Sequence, residues 1–313
     1  MGKGYSMMIS GFTMARNAEK FYYPITESIS SVLPIVDEFI VALGKGDSDD
    51  HTRELIQSLN SPKIRILDRV WEESSFQDAR ILREETDFAL SNCLGDWCFY
   101  LQADEVVHEQ DLPAIREACN RYLEEPRVDG FLFRFRHFWG DYDHVLDCHS
   151  WYQQDIRIIR NHSGISSFRD AQSFRRGNEK LQVVALPARI FHYGYARPPG
   201  LMQGKKKQQD TLHQGRKATE EAYRSKTADF DYGPLGRLPR FRETHPRVMA
   251  GMISRFNWKD HLNYGRRLAR NRPRVKHEKL KNRILSFVEN RILGGHRLWA
   301  YCNWKLVDVP PRD

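Results

Sequence analysis

Trp97-Cys98-Phe99-Tyr100-Leu101-Gln102-Ala103-Asp104-Glu105 begins with five apolar or aromatic residues and then turns polar. A run this short, entered through the Gly95-Asp96 turn, reads as a strand buried on both faces. Such strands belong to parallel sheets sandwiched between helices, where ligands bind beyond the carboxyl ends of the strands. The strand ends at Leu101, so Gln102 to Glu105 project to where a ligand should sit.

Working outward, strands and helices alternate. Residues 6–12 read as a first strand and residues 17–33 as a helix ended by Pro34, since proline cannot continue a helix. Residues 36–43 (VDEFIVAL) form a buried strand bounded by Gly44 and Gly46. Asp49 or Asp50 can cap a helix running to about Leu59. Residues 64–67 give a third strand. Residues 76–92 place Ala79, Leu82, Thr86, Ala89 and Leu90 at helical spacing. The implied fold class is α/β, with helices on both faces of the sheet. Further on, residues 111–124 read as a helix, and residues 130–138 (GFLFRFRHF), 155–160 (DIRIIR) and 183–191 as strands. At Pro198-Pro199-Gly200 the composition shifts toward Lys, Arg, Gln and Gly. The expected division is therefore a domain over 1–197, with its halves at about 1–110 and 111–197, and a basic helical region over 198–313 packing on it.

The chain has 313 residues, 40% of them hydrophobic and 12% aromatic, enough for a sizeable core. A charged fraction of 29% and a mean hydropathy of −0.65 point to a soluble protein. No apolar run is long enough to span a bilayer, and residues 1–10 are too polar for a secretory signal, so the expected location is the cytoplasm. Five scattered cysteines suit reduced thiols better than a disulfide framework. The net charge of +8 favours anionic partners. It is concentrated late in the chain, where residues 259–283 hold ten Lys or Arg against Asp260 and Glu278.

Strand-end carboxylates such as Asp104 and Glu105 can hold a divalent cation, which neutralises charge building on a leaving diphosphate. Mg²⁺ and Mn²⁺ take oxygen ligands and keep several waters, so one or two protein carboxylates suffice. Alone, the pair would equally suit a turn with two solvated acids. The order of pieces around it resembles the inverting family-2 glycosyltransferases of the GT-A fold, of bacterial cell-envelope type. The resemblance covers about the first 110 residues and extends more loosely to about Lys207. It rests on Ser10-Gly11-Phe12-Thr13-Met14-Ala15-Arg16-Asn17-Ala18-Glu19 for the first strand and its exit, and on residues 36–52 for the second strand. Arg83 to Leu90, Gly95-Asp96-Trp97 and Leu101-Gln102-Ala103-Asp104-Glu105 complete it. No piece is specific by itself; their order and spacing are.

The resemblance implies a GT-A-like, mostly parallel mixed sheet with a helical C-terminal extension. It also implies transfer of a sugar from a nucleotide diphosphate sugar, a UDP-sugar being favoured, to a saccharide or lipid-linked acceptor, assisted by Mn²⁺ or Mg²⁺. Asp104 and His192 would hold the metal. Thr13, Arg16, Asn17, Gly44, Asp47, Arg83, Gln102, Ala103, Glu105, Lys205 and Lys206 would contact the donor. Asp170 would be the base that an inverting transfer requires. Two departures stand out. Gln102 replaces the first Asp of the family's Asp-x-Asp, and the Asp that ends strand two in the family is displaced to Asp47 or missing. His192, beside aromatic residues, also suits a structural role. Lys205-Lys206-Lys207 also suits a solvated helix face, and Asp170 a salt bridge to Arg169 or Arg175.

Arg266, Arg267, Arg270, Arg272, Arg274 and Lys276 read either as a solvated face, as a peripheral contact with the anionic inner face of a membrane, or as a non-specific nucleic-acid contact. Leu280, Ile284, Leu285, Val288 and Ile292 lie at helical spacing, with Leu298 and Trp299 beyond. They can pack on the main domain, form an interfacial helix or make a homodimer contact. No specific nucleic-acid motif is visible. Two other functions stay open. A nucleotidyltransferase on a related fold would want a Gly-rich loop after strand one, and Met14-Ala15-Arg16-Asn17 lacks it. A non-catalytic nucleotide-sugar-binding protein would fit Gln102.

Overall fold

A computed structural model of the chain describes residues 6–269, 272–299 and 302–309. The strands are β1 (Ile9–Ala15), β2 (Glu38–Gly44), β3 (Ile64–Arg69), β4 (Trp97–Tyr100), β5 (Glu105–Val107), β6 (Gly130–Trp139), β7 (Gln154–Arg160), β8 (Ile165–Phe168), β9 (Ser173–Arg176), β10 (Glu179–Tyr195) and β11 (Trp304–Leu306). The helices are α1 (Ile25–Val32), α2 (Thr52–Ser58), α3 (Arg80–Ser91), α4 (Leu112–Arg121), α5 (Pro199–Gln214), α6 (Arg216–Tyr223), α7 (Ala250–Ser254) and α8 (Leu280–Arg291).

The sheet runs β3-β2-β1-β4-β7-β6-β10-β9-β8, with β5 and β11 paired to β10. The first four strands are mutually parallel. β7 is antiparallel to both its neighbours, and β6 and β10 run parallel. This is the mixed α/β sheet with flanking helices that the sequence implied. Side chains alternate across it as strand geometry requires. Phe39, Val41, Trp97 and Phe99 enter one core with Ile29 of α1 and Ile115 of α4. Ile40, Ala42, Cys98 and Tyr100 enter the other with Ala89 of α3. Both faces are therefore dry, and the four residues of β4 are all buried.

The first expected helix is shorter than residues 17–33. Asn17 adopts a left-handed φ of 54°, which asparagine tolerates, and its Oδ1 accepts the Asp47 N–H at 2.8 Å. Pro24 then confines the helix to Ile25 onward. α3 likewise starts at Arg80 rather than near 76, because Asp78 and Ala79 both have φ of 53° and their N–H groups bond the carbonyls of His213 and Leu212 at the end of α5. The short strands β5, β8, β9 and β11 went unforeseen. All five cysteines are free, and only Cys302 is exposed.

The C-terminal third makes specific contacts with the sheet. Trp139 Nε1 donates to the Tyr232 carbonyl at 2.9 Å, and Trp258 Nε1 to the Gly140 carbonyl at 2.8 Å. Met249 and Met252 pack with Phe138 and Tyr193.

Candidate active site

Beyond Leu101 the backbone makes a tight turn, closed by the Glu105 N–H donating to the Gln102 carbonyl at 2.9 Å. The chain then enters β5, which pairs antiparallel with β10 so that Glu105 faces His192. The Tyr193 N–H donates to the Asp104 carbonyl at 2.8 Å. Two segments almost ninety residues apart are thus stitched together, with the side chains of Asp104 and His192 side by side.

The Asp104 carboxylate is buried. Its Oδ2 accepts from Lys205 Nζ at 2.9 Å and lies 3.7 Å from His192 Nε2. Lys205, carried in by α5, also donates to the Gly194 carbonyl at 2.8 Å. Burial works to raise the Asp104 pKa, but Lys205, His192 and Arg197 outweigh it and hold the group well below the usual carboxylate range. Burial, helped by Arg197, pushes Lys205 down to about 8 even though Asp104 opposes it. At neutral pH the two form an ion pair. Gly194 is required here: a Cβ at that position would fall 2.5 Å from His192 Nε2 and 2.7 Å from Asp104 Oδ2.

A second histidine fixes the orientation of the first. His137 Nε2 lies 2.7 Å from the Tyr152 carbonyl, and its Nδ1 lies 3.0 Å from His192 Nδ1. Burial lowers the pKa of both rings, so both are neutral. A carbonyl only accepts, which puts the His137 proton on Nε2 and leaves its Nδ1 as an acceptor. His192 must then donate from Nδ1, and its Nε2 presents a bare lone pair beside Asp104. A ring whose other nitrogen is tied to an outer partner is the arrangement of a metal-binding imidazole.

These two donors fit a divalent cation of the Mn²⁺ or Mg²⁺ kind. No group of three or more metal-binding side chains gathers among the described residues. Such an ion would therefore complete its coordination with ligand oxygens and water.

Glu105 is committed to a buried ion pair. It is fully buried and held by Arg157, whose Nε and Nη2 donate to its two oxygens at 2.7 and 2.6 Å. Arg157 also donates to the Ile156 and Gln172 carbonyls. This bidentate pair props the turn from behind. Arg197 is a further buried cation. Its guanidinium lies 4.5 Å from the Tyr23 ring centroid, its Nη1 donates to the Phe21 carbonyl, and its Nε and Nη2 have no hydrogen-bond partner among the described residues. With Asp104 negative and Lys205 and Arg197 positive, this cluster carries excess positive charge. A buried guanidinium with two of its nitrogens left without acceptors favours an incoming anion.

A cleft of about 200 Å³ opens beside this cluster, walled by Ala15, Arg16, Tyr23, Trp71, Gln102, Ala103, Asp104 and Asp170, with Gln208 and Leu212 of α5 as its cover. Arg16 donates to the Lys45 carbonyl at 2.9 Å and lies 5.6 Å from the Trp71 ring centroid. Gln102 Nε2 donates to the Ala171 carbonyl at 3.3 Å. Asp170 sits between Arg169 and Ala171, both with φ of 59°. A left-handed alanine costs roughly 1 kcal/mol, so mildly strained backbone flanks Asp170 where it lines the cleft.

The structure therefore gathers Asp104, His192, Lys205, Gln102, Ala103, Arg16 and Asp170. The remaining candidates lie elsewhere. Thr13 is buried within β1 and does not line the cleft. Asn17 is engaged in its turn. Gly44 and Asp47 line a neighbouring cleft, where Lys20 Nζ donates to Asp47 at 2.9 Å. Arg83 is exposed on α3. Lys206 donates to Asp210 one helical turn on, at 2.8 Å. Sequence reasoning overlooked Arg157, Arg197, His137 and Trp71. The indole of Trp71 lies so close over Gly44 that a Cβ there would be 2.4 Å from its Nε1.

Together the fold and the site define a cleft at the carboxyl ends of the parallel strands of a mixed α/β sheet, with Asp104 in its wall and a buried cluster of net positive charge beside it. The chain matches no protein-family model and no curated protein. Among solved structures it is similar to S. aureus TarS, with 13% identity, 65% of this chain and 39% of that chain covered, and a TM-score of 0.41. It is also similar to TarS residues 1–349 in complex with UDP-GlcNAc, with 20% identity, 42% and 35% coverage and a TM-score of 0.29. A third is glucosyl-3-phosphoglycerate synthase from Mycobacterium tuberculosis in complex with Mn²⁺, UDP and phosphoglyceric acid, with 18% identity, 43% and 44% coverage and a TM-score of 0.28. The chain spans less than half the length of each.

Proposed function

We propose that the protein is a glycosyltransferase that moves a sugar from a nucleotide diphosphate sugar, a UDP-sugar being favoured, to an acceptor hydroxyl with inversion. The observation that carries this reading is the meeting of Asp104, the Nε2 lone pair of His192 and the Lys205 ammonium beside the strand-end cleft, whose wall includes Asp104. That buried cluster is net cationic, which suits a diphosphate entering beside it. The wall of Arg16 and Trp71 offers a flat cation and an aromatic face to a nucleoside. Asp104 and His192 would hold Mn²⁺ or Mg²⁺, and that ion supplies Lewis-acid neutralisation of the leaving diphosphate.

The chain's own groups account for the rest. Asp104 keeps Lys205 charged and fixed in position. Lys205 and Arg197 lower the energy of the negative charge that builds on the diphosphate as the bond from the anomeric carbon to the phosphate oxygen breaks. The acceptor oxygen attacks the opposite face of that carbon. Its proton passes to Asp170, which lines the same cleft, and the bonding pair leaves with the diphosphate. The acceptor would be a saccharide or lipid-linked hydroxyl in polysaccharide or glycolipid synthesis.

The test is release of nucleoside diphosphate from a panel of nucleotide sugars, with and without Mn²⁺ and Mg²⁺. Turnover of at least one donor, lowered at least about 100-fold by Asp104→Asn, is expected. No turnover and no protection from thermal unfolding by any donor would refute the proposal.

A further inference from the structure

α8 is built inside out. Three of its polar side chains, Ser286, Glu289 and Asn290, grip the body of the protein. Ser286 Oγ accepts the His149 N–H at 2.9 Å, and Asn290 Nδ2 donates to the Asp147 carbonyl at 3.0 Å. Glu289 is fully buried and takes His149 Nδ1 at 2.6 Å and Arg297 Nη1 at 2.7 Å. The opposite face carries Leu280, Ile284 and Phe287, which are 62%, 55% and 61% exposed. Positions i, i+4 and i+7 form one stripe. Ile292 at 67% and Trp299 at 84% extend the exposed apolar surface. A surface helix ordinarily buries its apolar stripe, so this one is shaped for a cover.

The charges beside the stripe identify the cover. Lys276, Lys279, Lys281, Arg283 and Arg291 are all exposed, whereas the acids of the same stretch, Glu278 and Glu289, are both buried. Glu278 is taken by Arg272 at 2.6 Å, which removes Arg272 from the basic surface expected from the sequence. Arg270 lies outside the described residues. A second copy seated on this face would bring like charges together. Nucleic acid would match the charge but would leave the leucine, isoleucine and phenylalanine uncovered.

We infer that α8 docks flat on a membrane surface rich in anionic lipid, with Leu280, Ile284 and Phe287 among the acyl chains and the flanking lysines and arginines on the headgroups. Exposed aliphatic and aromatic residues framed by basic ones, followed by an exposed tryptophan, match the chemistry of that interface. No helix among the described residues is long and apolar enough to cross a membrane, so the contact is interfacial. It is also joined to the cleft. The loop gripped by α8 at Asp147 and His149 leads directly to Trp151 and Tyr152, which pack against His137.

The test is cosedimentation of the full chain with vesicles of phosphatidylcholine alone or mixed with phosphatidylglycerol, at physiological ionic strength. Partitioning at least about tenfold stronger onto the anionic vesicles is expected. The triple substitution Leu280→Ser, Ile284→Ser, Phe287→Ser should lower it about tenfold or more while leaving the melting temperature unchanged, since these side chains are exposed. Lys281→Glu with Arg283→Glu should weaken binding to anionic vesicles alone. Equal or absent binding to both vesicle types would overturn the inference. So would a dimer in sedimentation equilibrium that the triple substitution dissociates, or duplex DNA that binds the parent and the triple variant equally and strips the parent from vesicles. Vesicle binding needs no turnover, so the inference and the proposed sugar transfer can fail separately.

Discussion

α5 and α8 lie in the same basic third of the chain and depart from ordinary helix patterning in opposite ways. α5 turns a lysine inward, and Lys205 is 2% exposed. α8 turns leucine, isoleucine and phenylalanine outward. In α5 the departure is answered within the molecule, because Asp104 supplies the counter-charge 2.9 Å away. In α8 no described residue answers it. A buried charge with an internal partner marks a site that works inside the fold. An exposed apolar stripe without one marks a surface that works against something outside.

Substitutions can break this contrast, beginning with the interior. Glu105→Gln leaves Arg157 charged and only partly partnered in a dry environment. Loss of one member of such a pair costs about 3–5 kcal/mol, which urea denaturation would report as a lower midpoint. Asp104→Asn keeps the shape of the turn but removes the charge that positions Lys205. Turnover of the donor should fall about 100- to 1,000-fold in single-turnover kinetics. A fall in affinity with no fall in rate would show that Asp104 binds the donor without shaping the transition state.

Asp155 tests the dry interior by pH. Burial lifts its pKa to about 6 from an ordinary 3.8, although Arg157 opposes the shift. The folded state therefore holds its proton more tightly than the unfolded chain does. Stability relative to an Asp155→Asn variant should be highest below pH 4 and should fall by about 3 kcal/mol as pH rises through 6. Melting curves of parent and variant across pH 4 to 7 would show the gap opening. A constant gap would mean that the group is hydrated. At the other extreme, Phe287→Ser on α8 should change folding stability by less than about 0.5 kcal/mol. A larger loss by denaturant titration would mean that the stripe is covered by the protein itself.

How legible these features were depended on whether their cause was local. β2 and β4 were readable because a strand buried on both faces is an unbroken apolar run. The turn at Gln102 to Glu105 followed from the end of that run. The start of α1 was not readable, because Asn17 is held left-handed by an amide thirty residues away. The buried ion pair of Glu105 was not readable, because its partner, Arg157, lies 52 positions further along. Lys205 was visible only as one member of a lysine triplet. Met202 and Leu212, buried on the same helix, mark the inward phase that selects it from Lys206 and Lys207. The polar grip on α8 was hidden because the groups it bonds, Asp147 and His149, come from a distant loop.

The central claim is that Asp104, His192 and Lys205 belong to a nucleotide diphosphate site. Isothermal calorimetry of UDP and other nucleoside diphosphates, with and without Mn²⁺, on the parent protein and on Asp104→Asn and Lys205→Met, tests it directly. The account expects a nucleoside diphosphate to bind the parent, more tightly with Mn²⁺, and expects either substitution to weaken binding about tenfold or more. Absence of binding under every condition, or binding that neither substitution alters, would contradict it.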